Sequence, residues 1–285
     1  MDYETYYEIA GVVIKVVSPF PFYAENGEDF RCENKDADFT FYFKHTNDIE
    51  QYLEGKKLIG KCLWADEYVG EDGHFCRAFL WEDKYYTEVT IHSATEGVCY
   101  YSSSEILAER AEAGFELLMY LCLELILLKF DAIVLHSSHL KVGEHGIVFS
   151  GPSGAGKSTQ AELWEEHVGA KVLNGDRSVL RKIDGTWYVC GCPMSGTSGI
   201  HLQGREPLHD VVMLRHCDEN HIERIRGVQA FREVMPQITT PLYNKEYTKR
   251  VMDLIEDLLN SVPVHLYTCR KDKSAVVMLK EALQI

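Results

Sequence analysis

The sequence has no pair of CxxC units, no apolar run of twenty residues, no internal repeat and no low-complexity tract. It is also poor in basic residues, with 29 Lys and Arg against 44 Asp and Glu, a formal charge of −15. That charge repels nucleic acid and anionic membrane, so neither is expected as a partner through bulk electrostatics. It repels polyphosphates at long range too, so any phosphate site has to attract its ligand locally. The nine Cys (positions 32, 62, 76, 99, 122, 190, 192, 217 and 269) are odd in number and scattered. Neither a secreted disulfide scaffold nor paired zinc ligands fit that spacing, and Cys190 and Cys192 read as ordinary buried or loop cysteines. Reduced thiols point to a cytoplasmic location. The first ten residues, MDYETYYEIA, have no basic region followed by an apolar one, so no signal peptide is expected there. The longest apolar run, Leu117–Leu128, is about 12 residues and contains Glu124, where a membrane span needs about 20. It reads as a buried core helix.

What is present is an ordinary globular composition, 46% apolar and 26% charged, in a chain of 285 residues that is long enough for a sizeable core. Residues 1–103 form a strand-rich region to which no chemistry can be assigned. Phe39, Phe41 and Phe43 alternate with Thr40, Tyr42 and Lys44, the period of a half-buried strand. Further β-rich runs are 12–17, 75–81, 85–91 and 98–101. A core helix is expected over 104–130, capped by Ser104 and carrying Ile106, Leu107, Ala111, Phe115, Leu118, Met119 and Cys122 as its apolar stripe. From 131 to 285 the texture becomes α/β. Strands are expected at 133–140, 146–149, 211–214, 222–225 and 264–267, with a hairpin around Asp184-Gly185. Helices are expected from Lys157 to about His167 with Gly169 as C′ residue, at 244–259, and at 273–283.

One segment of the α/β region carries chemistry. Gly151-Pro152-Ser153-Gly154-Ala155-Gly156-Lys157-Ser158 satisfies GxxxxGK[ST] at every position, between an apolar strand and an amphipathic helix. The glycines let the backbone curl until successive N–H groups face inward, and the helix start, through Thr159, adds its partial positive charge. Lys157 then neutralises the β- and γ-phosphates, and the Ser158 hydroxyl ligates Mg²⁺. Asp176, in Leu173-Asn174-Gly175-Asp176-Arg177, is the candidate second metal ligand, expected at the C-terminal end of the adjacent strand. His136, on the strand before the P-loop, is a weaker candidate, because a lone His on an apolar strand is more often structural.

Taken in order, His136, the P-loop, Asn-Gly-Asp-Arg and the run from Ser178 to Pro193 resemble the HPr kinase/phosphorylase catalytic domain. More closely, they are similar to the HPr-kinase-related, PEP-carboxykinase-like kinases of bacteria, some of which phosphorylate precursor peptides. The resemblance covers roughly 130–285 and is strongest from His136 to Gly199. It implies a P-loop domain with a mixed sheet and Mg-ATP as phosphoryl donor. It also implies that His136 partners the catalytic carboxylate, that Ser158 and Asp176 hold Mg²⁺, and that Arg177 is a structural or phosphate-facing cation. The family's ring assemblies imply a possible homo-oligomer, with no residue pattern here to carry it over. The chain departs from the family where the pattern has two adjacent aspartates, since it has Gly175-Asp176. The family's usual proton acceptor is therefore missing, and Asp176, His136 or a base elsewhere would have to take that role. The Gly-, Ser- and Thr-rich segment 192–205, with His201 and Arg205, reads either as a plain connection or as a loop closing over phosphate, with Arg205 as a bidentate phosphate or acidic-substrate contact.

The resulting expectation is a kinase acting on a Ser or Thr hydroxyl of a peptide or small protein. The alternatives are a kinase for a small hydroxylated metabolite and a degenerate ATP-binding sensor or scaffold.

Overall fold

The protein is described from a computed structural model, which covers residues 2–22, 25–62, 64–81, 85–105, 107, 120–240 and 243–285. The chain divides into two compact units, one built from residues 1–129 and 241–248 and the other from 130–240 and 249–285.

Among its described residues the first unit holds one mixed sheet of eight strands: β1 (Tyr3–Ile9), β2 (Val12–Ser18), β3 (Phe39–His45), β4 (Lys57–Lys61), β5 (Ala65–Val69), β6 (Phe75–Trp81), β7 (Tyr85–His92) and β8 (Glu96–Tyr101). Their order is β1-β2-β3-β8-β7-β6-β5-β4. The pairs β2–β3 and β3–β8 are parallel. Phe39, Phe41 and Phe43 are buried while Thr40 and Tyr42 are half-buried, the alternation their spacing requires. β1 was not expected, because Tyr-Glu-Thr-Tyr-Tyr-Glu-Ile does not alternate cleanly. It is held by a tight turn in which Ala10 and Gly11 both take positive φ (53° and 76°) without an Asn-Gly or Asp-Gly signature.

Of the core helix expected over 104–130, residues 106 and 108–119 lie outside the described residues. Leu123–Leu128 forms helix α1, entered through Cys122 at φ 48°, and its five apolar residues are buried. Glu124, the one charge in this apolar run, receives a 2.8 Å hydrogen bond from Arg77 Nη1, while Arg77 Nη2 donates to Glu67 at 2.9 Å. A buried carboxylate is tolerated only when paired in this way.

The second unit contains β9 (Ala132–Val142), β10 (His145–Ser150), α2 (Lys157–Val168), β11 (Lys171–Asn174), β12 (Arg177–Ile183), β13 (Thr186–Cys190), β14 (Arg205–His216), β15 (His221–Ile225), α3 (Gly227–Val234), α4 (Lys245–Ser261), β16 (Val264–Cys269) and α5 (Lys273–Leu283). α4 belongs to it from Lys249 onward. Its sheet is mixed and runs β10-β9-β12-β13-β14-β16-β15, with β11 also on β9 and β14 also parallel to β10. Two long strands change partners along their length. β9 pairs with β12 through residues 132–136 and with β10 through 137–142. β14 pairs with β13 at 205–207 and with β10 beyond. Trp164 of α2 and Val276 and Leu279 of α5 pack with Phe149, Leu140 and Val212 in one buried cluster, which anchors α2 on the sheet. Gly169 ends α2 in the left-handed region at φ 73°, the C′ role its position predicts. Among the described residues no helix is long and apolar enough to cross a membrane.

Candidate functional site

The partner switch in β9 assembles the site. His136 is the last β9 residue paired with β12, opposite Arg177. Ser137 is the first paired with β10, opposite Ser150, after which the P-loop begins. The Ser150 hydroxyl donates to the His136 carbonyl at 2.7 Å, and the Ser137 N–H donates to the Asp176 carbonyl at 3.0 Å. The histidine, the start of the P-loop and the aspartate are thereby fixed to one point of the sheet.

Between β10 and α2 the P-loop glycines need their freedom. Gly151, Gly154 and Gly156 have φ of 141°, 80° and 98°, and a Cβ on Gly151 would come within 2.7 Å of the Leu214 carbonyl oxygen. Gly156 caps α2 with no side-chain hydrogen bond, so the first-turn amides have no intrahelical acceptor. Lys157 is 8% exposed, and its Nζ donates to the carbonyls of Gly151 at 3.0 Å and Pro152 at 3.4 Å. Burial holds its pKa below the usual lysine value, while the Asp176 charge opposes that shift. Ala155 is buried under the loop.

Asp176 lies in the turn between β11 and β12, two residues beyond the end of β11. The expected location differs in one respect, because β11 pairs with β9 and does not pair with the P-loop strand β10. The turn is held by Asn174, a fully buried amide. Its Oδ1 accepts from the N–H groups of Asp176 and Arg177, both at 2.8 Å. Its Nδ2 donates to the carbonyls of Cys192 at 2.7 Å and Met194 at 2.9 Å. His136 Nε2 lies 3.4 Å from Asp176 Oδ1, and Arg177 Nη1 lies 3.6 Å from Oδ2. His136 first, then the Arg177 and Lys157 charges, hold the Asp176 carboxyl below its usual range against the opposing effect of burial.

These groups line a cleft of about 600 Å³ with His136, Ser153, Gly154, Gly156, Lys157, Ser158, Thr159 and Asp176 in its wall. Ligand pockets commonly enclose about 300–1,000 Å³. Gly151, Pro152 and Ala155, expected to contact the nucleotide, are not among the residues that line the cleft. Arg205, expected on a phosphate, does not line the cleft. It opens β14, and its guanidinium sits 5.7 Å from the centroid of the Tyr188 ring. The 192–204 segment is not a free loop either. The Leu202 N–H donates to the Leu173 carbonyl at 2.8 Å, and Asn174 bridges to His201.

Gly175, where the family pattern has an aspartate, is covered. A Cβ there would meet Ser198 Oγ at 2.4 Å and Ser198 Cβ at 2.5 Å. A Cβ on Gly196 would come within 2.6 Å of Asp176 Cγ. Sequence reasoning did not single out Ser138, Asn174, Glu162, Glu165, Thr197, Ser198 or Lys271, of which all but Asn174 line the cleft. Asn174 was readable, since an Asn two residues before the candidate aspartate is a common turn-former. Lys271 and Ser198 are distant in sequence from the motif and gave no such signal.

Two hard oxygen donors, Ser158 and Asp176, face the cleft and suit Mg²⁺. Among the described residues no three His, Cys, Asp or Glu converge on a metal-sized site, so a cation here would take most of its shell from phosphate and water. Burial pushes the Cys190 and Cys192 thiols up to about 12, which leaves them protonated and inert.

No protein-family model matches the chain, and no curated protein matches it by sequence. Among solved structures it is similar to the HPr(Ser) kinase/phosphatase from Coxiella burnetii. The identity is 13% and the TM-score 0.31, over 53% of this chain and 88% of that one.

Proposed function

We propose that this protein is an ATP-dependent phosphotransferase of the HPr-kinase-like type, acting on a hydroxyl, a Ser or Thr of a peptide or small protein. The observation that carries the proposal is the convergence of the P-loop, Lys157, Asp176 and His136 on one cleft. The P-loop amides and Lys157 bind the phosphates in a net-acidic chain that would otherwise repel them. Ser158 and Asp176 would hold Mg²⁺, which supplies charge neutralisation across the β- and γ-oxygens when bound. Asp176, kept ionised, accepts the proton of the attacking hydroxyl, with His136 at 3.4 Å to orient it and share the charge. Arg177 fixes the far side of the same carboxylate. Positioning and electrostatics supply most of the acceleration in phosphoryl transfer, so an aspartate at 175 is not indispensable.

Transfer of radiolabel from ATP to Ser- or Thr-containing peptides tests this reading. Label in an acceptor, abolished in Lys157→Ala, supports it. ATP binding with neither ADP release nor label across a broad panel overturns it. That second outcome belongs to an ATP-binding sensor or scaffold, a reading favoured by one observation, the filling of the space above Gly175 by Ser198. ADP release driven by hydroxylated metabolites and not by peptides would assign the same site to a small-molecule kinase.

A further inference from the structure

The turn over Gly175 brings this chain's own hydroxyl groups into the cleft. Thr197 and Ser198 line it together with Lys157 and Asp176. The turn is bracketed by Gly196 and Gly199, both left-handed at φ 54° and 67°, which lets it bend tightly against the neighbouring chain. It touches the candidate machinery at two points. Ser198 Oγ stands where a side chain at 175 would begin, and the Gly196 backbone rests on the Asp176 carboxylate. Ser198 Oγ donates to the Ser195 carbonyl at 2.7 Å and accepts from the Ile200 N–H at 3.3 Å, an arrangement confined to the turn itself. Breaking the first of these bonds frees the hydroxyl proton without disturbing the sheet.

We infer that Ser198 is a phosphoryl acceptor in cis, a modification site within the cleft. This rests on reading the cleft as an ATP-dependent phosphotransferase site. Ser198 Oγ forms a bond to the γ-phosphorus of ATP and the bond from that phosphorus to the β-phosphate bridging oxygen breaks. ADP leaves with the electron pair, and the hydroxyl proton passes to Asp176 and then to water. The product carries about −1.5 to −2 charges beside the Asp176 carboxylate. Like-charge repulsion then moves the turn off Gly175 and opens the cleft to an external hydroxyl.

The full-length protein is incubated with Mg²⁺ and ATP and no added acceptor, then digested and mapped by mass spectrometry, with ADP release followed in parallel. One phosphate per chain on Ser198 is expected, at a first-order rate independent of protein concentration, and absent in Lys157→Ala and Ser198→Ala. Ser198→Thr keeps the hydroxyl and is expected to keep the label. ADP release with Ser198 unmodified, or with phosphate on Thr197 or elsewhere, overturns the inference and leaves the proposed function standing. A rate that rises with protein concentration overturns transfer in cis. ATP binding without ADP release here overturns the inference alone, because no external acceptor is present, and the peptide panel decides the proposed function separately. A second readout needs no turnover. A non-hydrolysable ATP analogue should slow hydrogen exchange at the amides of 196–199, and unchanged exchange there would mean that the turn does not meet the γ-phosphate.

Discussion

His136 Nε2 and Asp176 Oδ1 are 3.4 Å apart, held there by a strand and a turn that meet where β9 exchanges one neighbour for another. That distance is long for a hydrogen bond, and catalytic contacts commonly tighten once substrate is bound. His136→Ala should lower kcat about 10²-fold, the low end of general acid–base contributions. Steady-state kinetics with a fixed acceptor measure it, and an unchanged kcat would remove His136 from the chemistry.

The same contact has a pH signature. The folded-state pKa of Asp176 is depressed, so its interactions contribute stability that is fully present above the unfolded value of about 3.9 and is lost as pH falls through the folded value. Urea denaturation of wild type and Asp176→Asn should therefore show a stability difference at about pH 5 that shrinks below about pH 4. A difference that grows on acidification would contradict the assignment.

Lys157 Nζ donates to the carbonyls of Gly151 and Pro152 in its own loop, where a phosphate would compete for the same ammonium. A hydrogen bond to a charged group is worth about 1.5–3 kcal/mol, which is roughly 10- to 100-fold in affinity. Calorimetry should find ATP binding weakened at least that much in Lys157→Ala, with the fold intact by circular dichroism. Equal affinity would show that the loop does not hold nucleotide phosphates.

Much of this unit could be read from the chain because its signals are local. The glycine positions of the P-loop, the Asp184-Gly185 hairpin and the Gly169 helix stop each declare themselves within a few residues. The pairing switches in β9 and β14 are not local. In Ala132–Val142 the side chains turn from Ala-Ile-Val-Leu to Ser-Ser-His around residue 136, but that change does not say which strand each half pairs with. For the same reason Arg205 looked free to reach a phosphate, when its place at the start of β14 sets it over Tyr188. The covering of Gly175 by Ser198 joins positions 23 residues apart, and only the fold reveals it.

Asn174 should be structurally indispensable. Its buried amide satisfies two N–H groups of the Asp176 turn and two carbonyls of the 192–194 segment, so removing it leaves several buried groups without partners. Each such group costs about 1–3 kcal/mol. Asn174→Ala should lower the urea midpoint strongly, by about 3 kcal/mol or more in stability, and lower turnover with it. Asn174→Asp keeps the two accepted bonds but sets a buried carboxylate oxygen against the Cys192 and Met194 carbonyls, so it should be at least as damaging as Asn174→Ala. Wild-type stability in Asn174→Ala would mean the turn does not depend on this side chain.

Adding a second carboxylate at 175 should fail when done alone. In Gly175→Asp the new Cβ would lie 2.4 Å from Ser198 Oγ, so the turn must move or the sheet must strain. Overpacking of this kind typically costs about 1–3 kcal/mol. The single variant should be less stable and no faster on an external acceptor. Replacing Ser198 by Gly removes both atoms in the way, and the double variant should recover stability and exceed Ser198→Gly in turnover, because the added carboxylate can then take the hydroxyl proton. The coupling between the two positions, read from a double-mutant cycle in urea, should be about 1 kcal/mol or more in favour of the pair. Additive effects would mean that Ser198 does not occupy the space of the absent side chain, and faster turnover in Gly175→Asp alone would mean that the turn yields freely.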